Sequence, residues 1–375
     1  MSISSFIFYC YFLLINKVLL TTFFSTPLLR HATSYSIRIL PKGFQTSMTF
    51  YIDFHEDVSR VASKLCELDL FTEAKRLGDD KVKINKETYN SLKLLNTFIF
   101  PNWNVTVKNI IFHYGNFSDT FISLSYKSGK NPESFINALY NENMIKERMF
   151  SFIKVNEDLL YFGRPLDELK NKKFEGYCKI KKDNWGCNII NVYLGDYPLQ
   201  YKNYALFDTR TLTILVPPKF IKDLETHIFG KLFDRNQCNY DTFYTHDVYI
   251  CNCGILKKFP NITFAIGNYL YSVPPESLFF YFEDFCILNI EKNTEDYFVL
   301  GTTFLKLFDV NFHFDQQTIT FSSNDTLIQL NPFESDVSEL KEQINTCIIC
   351  IIFLVFGCLL QSYNKLTNIN HTRRN

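Results

Sequence analysis

Residues 204–217 read "YALFDTRTLTILVP". Apolar residues lead into Asp208 and Thr209, and a run that alternates threonine with aliphatic residues leads away. This is the layout of a tight turn that carries a carboxylate and feeds a β-strand. Arg210 stands where a crowded turn calls for glycine, the residue that lets backbones approach closely. The stretch is therefore laid out as a catalytic loop, with one residue set against its use.

The rest of the chain narrows the setting. Its 375 residues allow two domains or one large two-lobed one at roughly 150 residues per domain. Lysine plus arginine balance aspartate plus glutamate at 39 each, so no global field favours nucleic acid or an anionic membrane. The seven histidines lack ligand spacing with cysteines or acids, and no glycine-rich phosphate loop is present, so neither a metal nor a cofactor is expected. The 39 phenylalanines and 22 tyrosines read as compositional drift rather than as a binding surface.

Both ends look directed to a membrane. Residues 1–30 contain "FIFYCYFLLINKVLLTTFFSTPLL", the apolar core of a signal peptide or a retained signal anchor, without the basic residues that usually precede one. Near the other end "CIICIIFLVFGCLL" carries no charge, and residues 344–360 make a span of about 17 residues, short but sufficient for a transmembrane helix. The segment before it is mostly acidic, and residues 361–375 carry Lys365, Arg373 and Arg374. That asymmetry makes 361–375 a cytoplasmic tail and leaves the bulk lumenal or extracellular. Eleven cysteines fit an oxidising compartment, with seven outside the apolar ends. Sequons begin at Asn104, Asn116, Asn261 and Asn324, which suits a glycosylated lumenal domain.

Between the ends, short alternating runs predict a mainly β chain: "MTFYIDF", "VKNIIFHY", "CNIINVYL", "ITFAIGNYLYSV", "FCILNI", "VNFHFD" and "QTITFS". Helical spacing is confined to "PESFINALYNENMI" (132–145) and "PKFIKDLETHIFGKL" (218–232). Residues 67–104 fit either a helix with a loop or short strands.

From about residue 109 to 324 the chain resembles the pepsin-like aspartic peptidases, in motif order as well as in motifs. "YALFDTRTLTILVPPKF" is similar to that family's second catalytic loop, apolar residues followed by Asp-Thr-Gly and Ser or Thr. "CGILKKFPNITFAIGNYLYSVPPESLFF" resembles its segment from a disulfide cysteine through a strand to a Pro-Pro turn, which would pair Cys253 with Cys286. "YFVLGTTFLKLFDVNFHFDQQTITFS" matches its closing signature, with Gly301 behind the catalytic loop. In the first half, "DTFISLSYKS" resembles the Asp-Gly-φ-φ-Gly strand with Ser123 for the second glycine, and "FYIDFHEDVSRVASKLC" stands for the first catalytic loop with Asp53 as its aspartate.

The resemblance implies a bilobal fold with short helices, lobes at residues 34–180 (degenerate) and 181–330, and a polypeptide substrate or protein ligand in the interlobe cleft. It also implies a mechanism in which two carboxylates share one proton, one activating water and the other protonating the peptide carbonyl. Threonines cross-link the two loops and glycines admit their close approach. Here Thr209 remains, but Phe54 replaces the other threonine, and His55 and Arg210 replace both glycines. Phe54 cannot form the reciprocal hydrogen bond. A guanidinium beside Asp208 favours its ionised form and opposes proton sharing. The hairpin tyrosine that the family closes over substrate has no clear counterpart between Cys66 and Val107; Tyr89 in "KETYNSL" reads as a surface tyrosine, with a relic of that hairpin as the alternative. Nor is there room for a basic prosegment between the leader and the first strand, a stretch that reads "SYSIRILPKGFQTSM".

Three readings follow: a membrane-anchored family homologue with lost or weak proteolysis and a binding role; a divergent active endopeptidase using Asp53 and Asp208; or a β-rich adhesion or scaffold protein. Two further disulfides, Cys178–Cys187 and Cys238–Cys251, complete the expected set.

Overall fold

A computed structural model describes residues 23–329, apart from short internal stretches that include 31–34, 55–57, 64–73, 101–104, 155–157, 164–173 and 324–327. Four β-sheets and a few short helices build residues 23–328 into a single compact unit.

The first half is organised by strand Met48–Asp53, whose alternating apolar residues bury Phe50 and Ile52 completely. It runs antiparallel to Tyr35–Pro41 on one side and parallel to Phe121–Ser123 on the other. Phe121–Ser123 meets Arg60–Ala62 antiparallel, and Arg60–Ala62 runs parallel to Val105–Gly115. The sheet continues through Glu87–Phe100 to Lys75–Ile84, and Tyr35–Pro41 also pairs with Glu87–Phe100, so the sheet curls back on itself.

Residues 75–100 thus form a long antiparallel hairpin, which decides between the two readings that the sequence left open for 67–104. Ile84 pairs with Glu87 at its closed end, and Val82 faces Tyr89 across the two strands. Tyr89 is half-buried against Phe117, at 5.6 Å between ring centres, and packs beside Ala62 and Val82. The hairpin escaped sequence reading because its outer strand, "KRLGDDKVKI", is charged and mostly solvent-exposed. It also contains a register shift between Arg76 and Gly78, where Gly78 takes φ +149°. One apolar face then leaves no clean alternation.

The second half repeats the same connections. Asn203–Phe207 runs parallel to Phe298–Leu300. Phe298–Leu300 meets Ile214–Val216 antiparallel, and Ile214–Val216 runs parallel to Ile290–Lys292. In both halves a short strand leads to an aspartate, at its last residue or the next, and lies parallel to a strand that crosses behind the following loop. This sheet extends from Asn203–Phe207 through Gly186–Leu194 to the hairpin Ile262–Ile266 and Tyr269–Val273. The expected helix at 218–232 is a continuous helical run over residues 218–233 with a π-helical middle, and the other helix spans Phe135–Asn141 with Ser134 as its N-cap.

A six-stranded sheet joins the halves, in the order Phe23–Pro27, Asp158–Gly163, Met149–Lys154, Asp309–His313, Thr318–Ser323, Phe174–Lys179. Phe23–Pro27 belongs to the stretch read as leader, so that stretch ends inside the fold; residues 1–22 lie outside the described residues. The sheet carries an aromatic layer in which Phe150 stacks on Phe312 at 4.7 Å, and Trp185 packs edge-on to Phe312 and Phe314. Trp185 is fully buried and donates its indole N–H to the Leu124 carbonyl at 2.6 Å, tying the start of the second half to the first.

The fourth sheet, Cys238–Phe243, His246–Asn252, Phe285–Leu288 and Phe279–Phe282, is cross-linked by Cys238–Cys251 and Cys253–Cys286. With Cys178–Cys187 these are the three expected pairs; Cys66 lies outside the described residues. Asn116 and Asn261 are exposed, as a sequon requires, while Asn104 and Asn324 lie outside the described residues. Among the described residues no helix is long and apolar enough to cross a membrane, and residues 344–360 are not among them.

Gly301 is boxed in by backbone on two sides. A β-carbon there would stand 2.3 Å from the backbone carbonyl oxygens of both Thr211 and Thr213, which no side-chain rotation relieves. Gly301→Ala is expected to lower the unfolding free energy by at least about 2 kcal/mol through overpacking, read as a shifted urea midpoint.

Candidate functional site

Asp53 is the last residue of its strand and is fully buried; its carbonyl accepts the Leu124 N–H at 2.8 Å. Asp208 follows its strand directly and is 7 % exposed. Its backbone N–H donates to the Leu300 carbonyl at 3.3 Å. Both aspartates therefore sit where a parallel pair of strands ends. Asp53 has Ser123 as its strand partner, and the residue after Leu300 is Gly301.

The loop after Asp208 is well tied. The Arg210 backbone N–H donates to Asp208 Oδ1 at 2.8 Å, and the Thr211 hydroxyl donates to Asp208 Oδ2 at 2.6 Å. Thr302 N–H closes on the Thr211 carbonyl at 2.8 Å, so the strand passing behind the loop holds it in shape. Thr211 was not singled out from the sequence, although it occupies the Ser-or-Thr position of the family pattern. Its hydroxyl is what gives Asp208 a second donor.

Two contacts cross between the halves. Thr209 is fully buried, and its hydroxyl donates to the Ile52 carbonyl at 3.1 Å, the residue just before Asp53. The Arg210 guanidinium reaches Asp53, with Nη1 at 3.2 Å from Oδ2. The sequence placed that guanidinium beside Asp208. In the structure its backbone N–H serves Asp208 and its side chain serves the opposite aspartate. Arg210 also lies over the Phe121 ring at 5.5 Å, and the buried Arg60 covers the same ring at 4.4 Å. A cation–π contact of this kind helps fix the guanidinium.

Phe54 does more than delete a hydroxyl. It is 2 % exposed and turns into the aromatic layer of the joining sheet, against Phe312 at 4.9 Å, Phe150 at 5.5 Å and Phe152 at 5.9 Å. Apolar packing thus takes over part of the anchoring that a threonine would give by hydrogen bonding. His55 lies outside the described residues. Ser59 accepts the Ser123 N–H at 3.1 Å, and Thr120 accepts the Ala62 N–H at 3.1 Å, so side-chain hydroxyls stitch the first loop to the strand beside it.

The arrangement can hold two carboxylates from two halves at one junction, with Asp208 supplied with donors and one Asp53 oxygen engaged by a cation. Among the described residues no cluster of histidine, cysteine and acids could hold a metal ion.

This architecture is that of the pepsin-like proteases. The family model for eukaryotic aspartyl proteases matches residues 105–324, and the chain belongs to that family. An aspartic proteinase from Irpex lacteus has a similar fold, with a TM-score of 0.64 over 80 % of this chain and 97 % of that one, at 12 % identity. No curated protein matches the chain by sequence.

The Thr209 bond makes a direct prediction. Thr209→Val keeps the shape but leaves the buried Ile52 carbonyl without that donor. A loss of about 1–3 kcal/mol is expected in denaturant unfolding, with Thr209→Ser retaining most of the stability.

Proposed function

We propose that the chain is a membrane-anchored pepsin-family homologue whose proteolysis is lost or severely weakened and which acts by binding a polypeptide between its two halves. The observation that carries this reading is the Arg210–Asp53 ion pair at 3.2 Å. In a working dyad both carboxylates face a shared water and one proton serves the pair. Here a permanent cation engages Asp53, so one oxygen of that carboxylate is held in a charge-assisted hydrogen bond to Arg210. Phe54 adds to this, since the first loop lacks the hydroxyl that would tie it reciprocally to the second. A displacement of about 1 Å in such a constellation can cost on the order of a hundredfold in rate.

Anchoring rests on the uncharged run within residues 344–360 followed by a basic tail, and a lumenal or extracellular body fits the three disulfides and the exposed sequons at Asn116 and Asn261.

The alternative is a divergent active endopeptidase using Asp53, Asp208 and an activated water. One observation favours it: the Asp208 loop keeps its working hydrogen bonds, from Thr211 to Asp208 and from Thr209 across to Ile52. For turnover Arg210, whose side chain is 35 % exposed, would have to swing into solvent.

The test is incubation of the protein with denatured substrate from pH 3 to 7, with and without pepstatin. The expected result is no pepstatin-sensitive cleavage and weak or absent pepstatin binding, with binding strengthened at least ~10-fold in Arg210→Gly as the Asp53 oxygen is released. Pepstatin-sensitive cleavage that disappears in Asp208→Asn would overturn this reading and establish the alternative.

A further inference from the structure

The described residues include three large phenylalanine side chains that are well exposed, and all three lie on one hairpin: Phe280 at 51 %, Phe282 at 37 % and Phe285 at 53 %. Most aromatics among the described residues are buried, so this concentration is not compositional drift. The hairpin consists of Phe279–Phe282 and Phe285–Leu288, and Phe279–Phe282 is an edge of the disulfide-bearing sheet.

Register shows which way the rings face. Phe280 stands opposite Ile287, and Ile287 opposite Ile250, so an apolar row crosses three strands. Phe282 and Phe285 face each other and extend that surface by the two-residue period of a strand. Of the alternate positions, Phe279, Cys286 and Cys251 are buried on the inner face, while Tyr281 at its edge is exposed. An antiparallel sheet with one face in water normally alternates apolar with polar. This one is apolar on both sides along its outer hairpin, with Ile287 buried beneath the exposed rings. The two disulfides, Cys238–Cys251 and Cys253–Cys286, hold the patch rigid.

We infer that this aromatic face docks on the surface of a zwitterionic lipid bilayer. The inference rests on the anchored reading given above. Fourteen residues, 330–343, separate the described body from the apolar run that begins at Ile344. Fully extended they span at most ~50 Å, so an anchored body stays within reach of the bilayer at all times. Phenylalanine is suited to the interfacial layer. Charge selects the lipid. Asp241 and Asp247 are exposed on the neighbouring hairpin. Such a rim disfavours anionic headgroups.

The test uses the full chain carrying Phe282→Trp, reconstituted into phosphatidylcholine vesicles whose acyl chains are brominated near the headgroup, with the wild-type chain as background for Trp103 and Trp185. The added emission should be blue-shifted, quenched at least ~2-fold by the bromolipid and sheltered from aqueous acrylamide. Adding Phe280→Ser and Phe285→Ser should abolish the quenching, and anionic vesicles should reduce it. Alkaline extraction of the same vesicles separates the two readings. A chain that stays in the membrane but shows no lipid quenching overturns the docking surface alone. One that is released and unquenched overturns both. Quenching in a chain that alkali releases upholds the docking surface and contradicts the anchor. Shelter from acrylamide that depends on protein concentration and not on bromolipid would assign the face to a second copy or another protein, and so overturn the inference.

Discussion

A guanidinium from the second half lying against a fully buried carboxylate of the first is the contact around which the junction is arranged. Burying an ion pair gives little net stability, because desolvation offsets most of the attraction. Removing one partner is another matter, since it takes a charge-assisted hydrogen bond from a carboxylate that has no contact with solvent. Asp53 is completely buried while Arg210 keeps a partly exposed side chain, so the carboxylate bears most of that desolvation. The pair is therefore better understood as fixing the relation of two loops than as adding to overall stability.

What surrounds the pair explains how a crowded loop can still fold. The strand behind Asp208 passes so close that only glycine fits at 301, and this squeezes the loop into its shape whether or not residue 210 is glycine. Arg210 then adapts by using its backbone N–H where the family pattern has a glycine N–H, and by sending its side chain out over Phe121 towards Asp53. On the other side Phe54 abandons the hydrogen-bonding role altogether and joins the aromatic layer that ties the halves together. One loop has kept its polar scaffold; the other has exchanged part of it for packing.

The second half was legible in the sequence because its restraints are local. A Cys pair, a Pro-Pro turn and a glycine behind the loop each leave a mark within a few residues, and the strand Asn203–Phe207, the hairpin 262–273 and the Cys253–Cys286 bond all lie where those marks put them. The first half was less legible because its restraints are distant. The hairpin at 75–100 is stabilised by pairing with Val105–Gly115 and Tyr35–Pro41, and its charged outer strand shows no face of its own. At the site, the identities of Asp53, Asp208, Phe54 and Arg210 could be read, but the direction of the Arg210 side chain could not. Which aspartate it meets depends on how two segments separated by more than 150 residues are brought together, and nothing in either loop encodes that by itself.

The central claim is that Arg210 and Asp53 are energetically coupled across the junction, and a double-mutant cycle measures this directly. Unfolding free energies of the wild type, Arg210→Gln, Asp53→Asn and the double variant would be compared at neutral pH. A coupling of about 1–3 kcal/mol, with the double variant less destabilised than the sum of the singles, is the predicted result. Additivity within about 0.3 kcal/mol would mean that the two groups do not interact in solution, and would contradict the account.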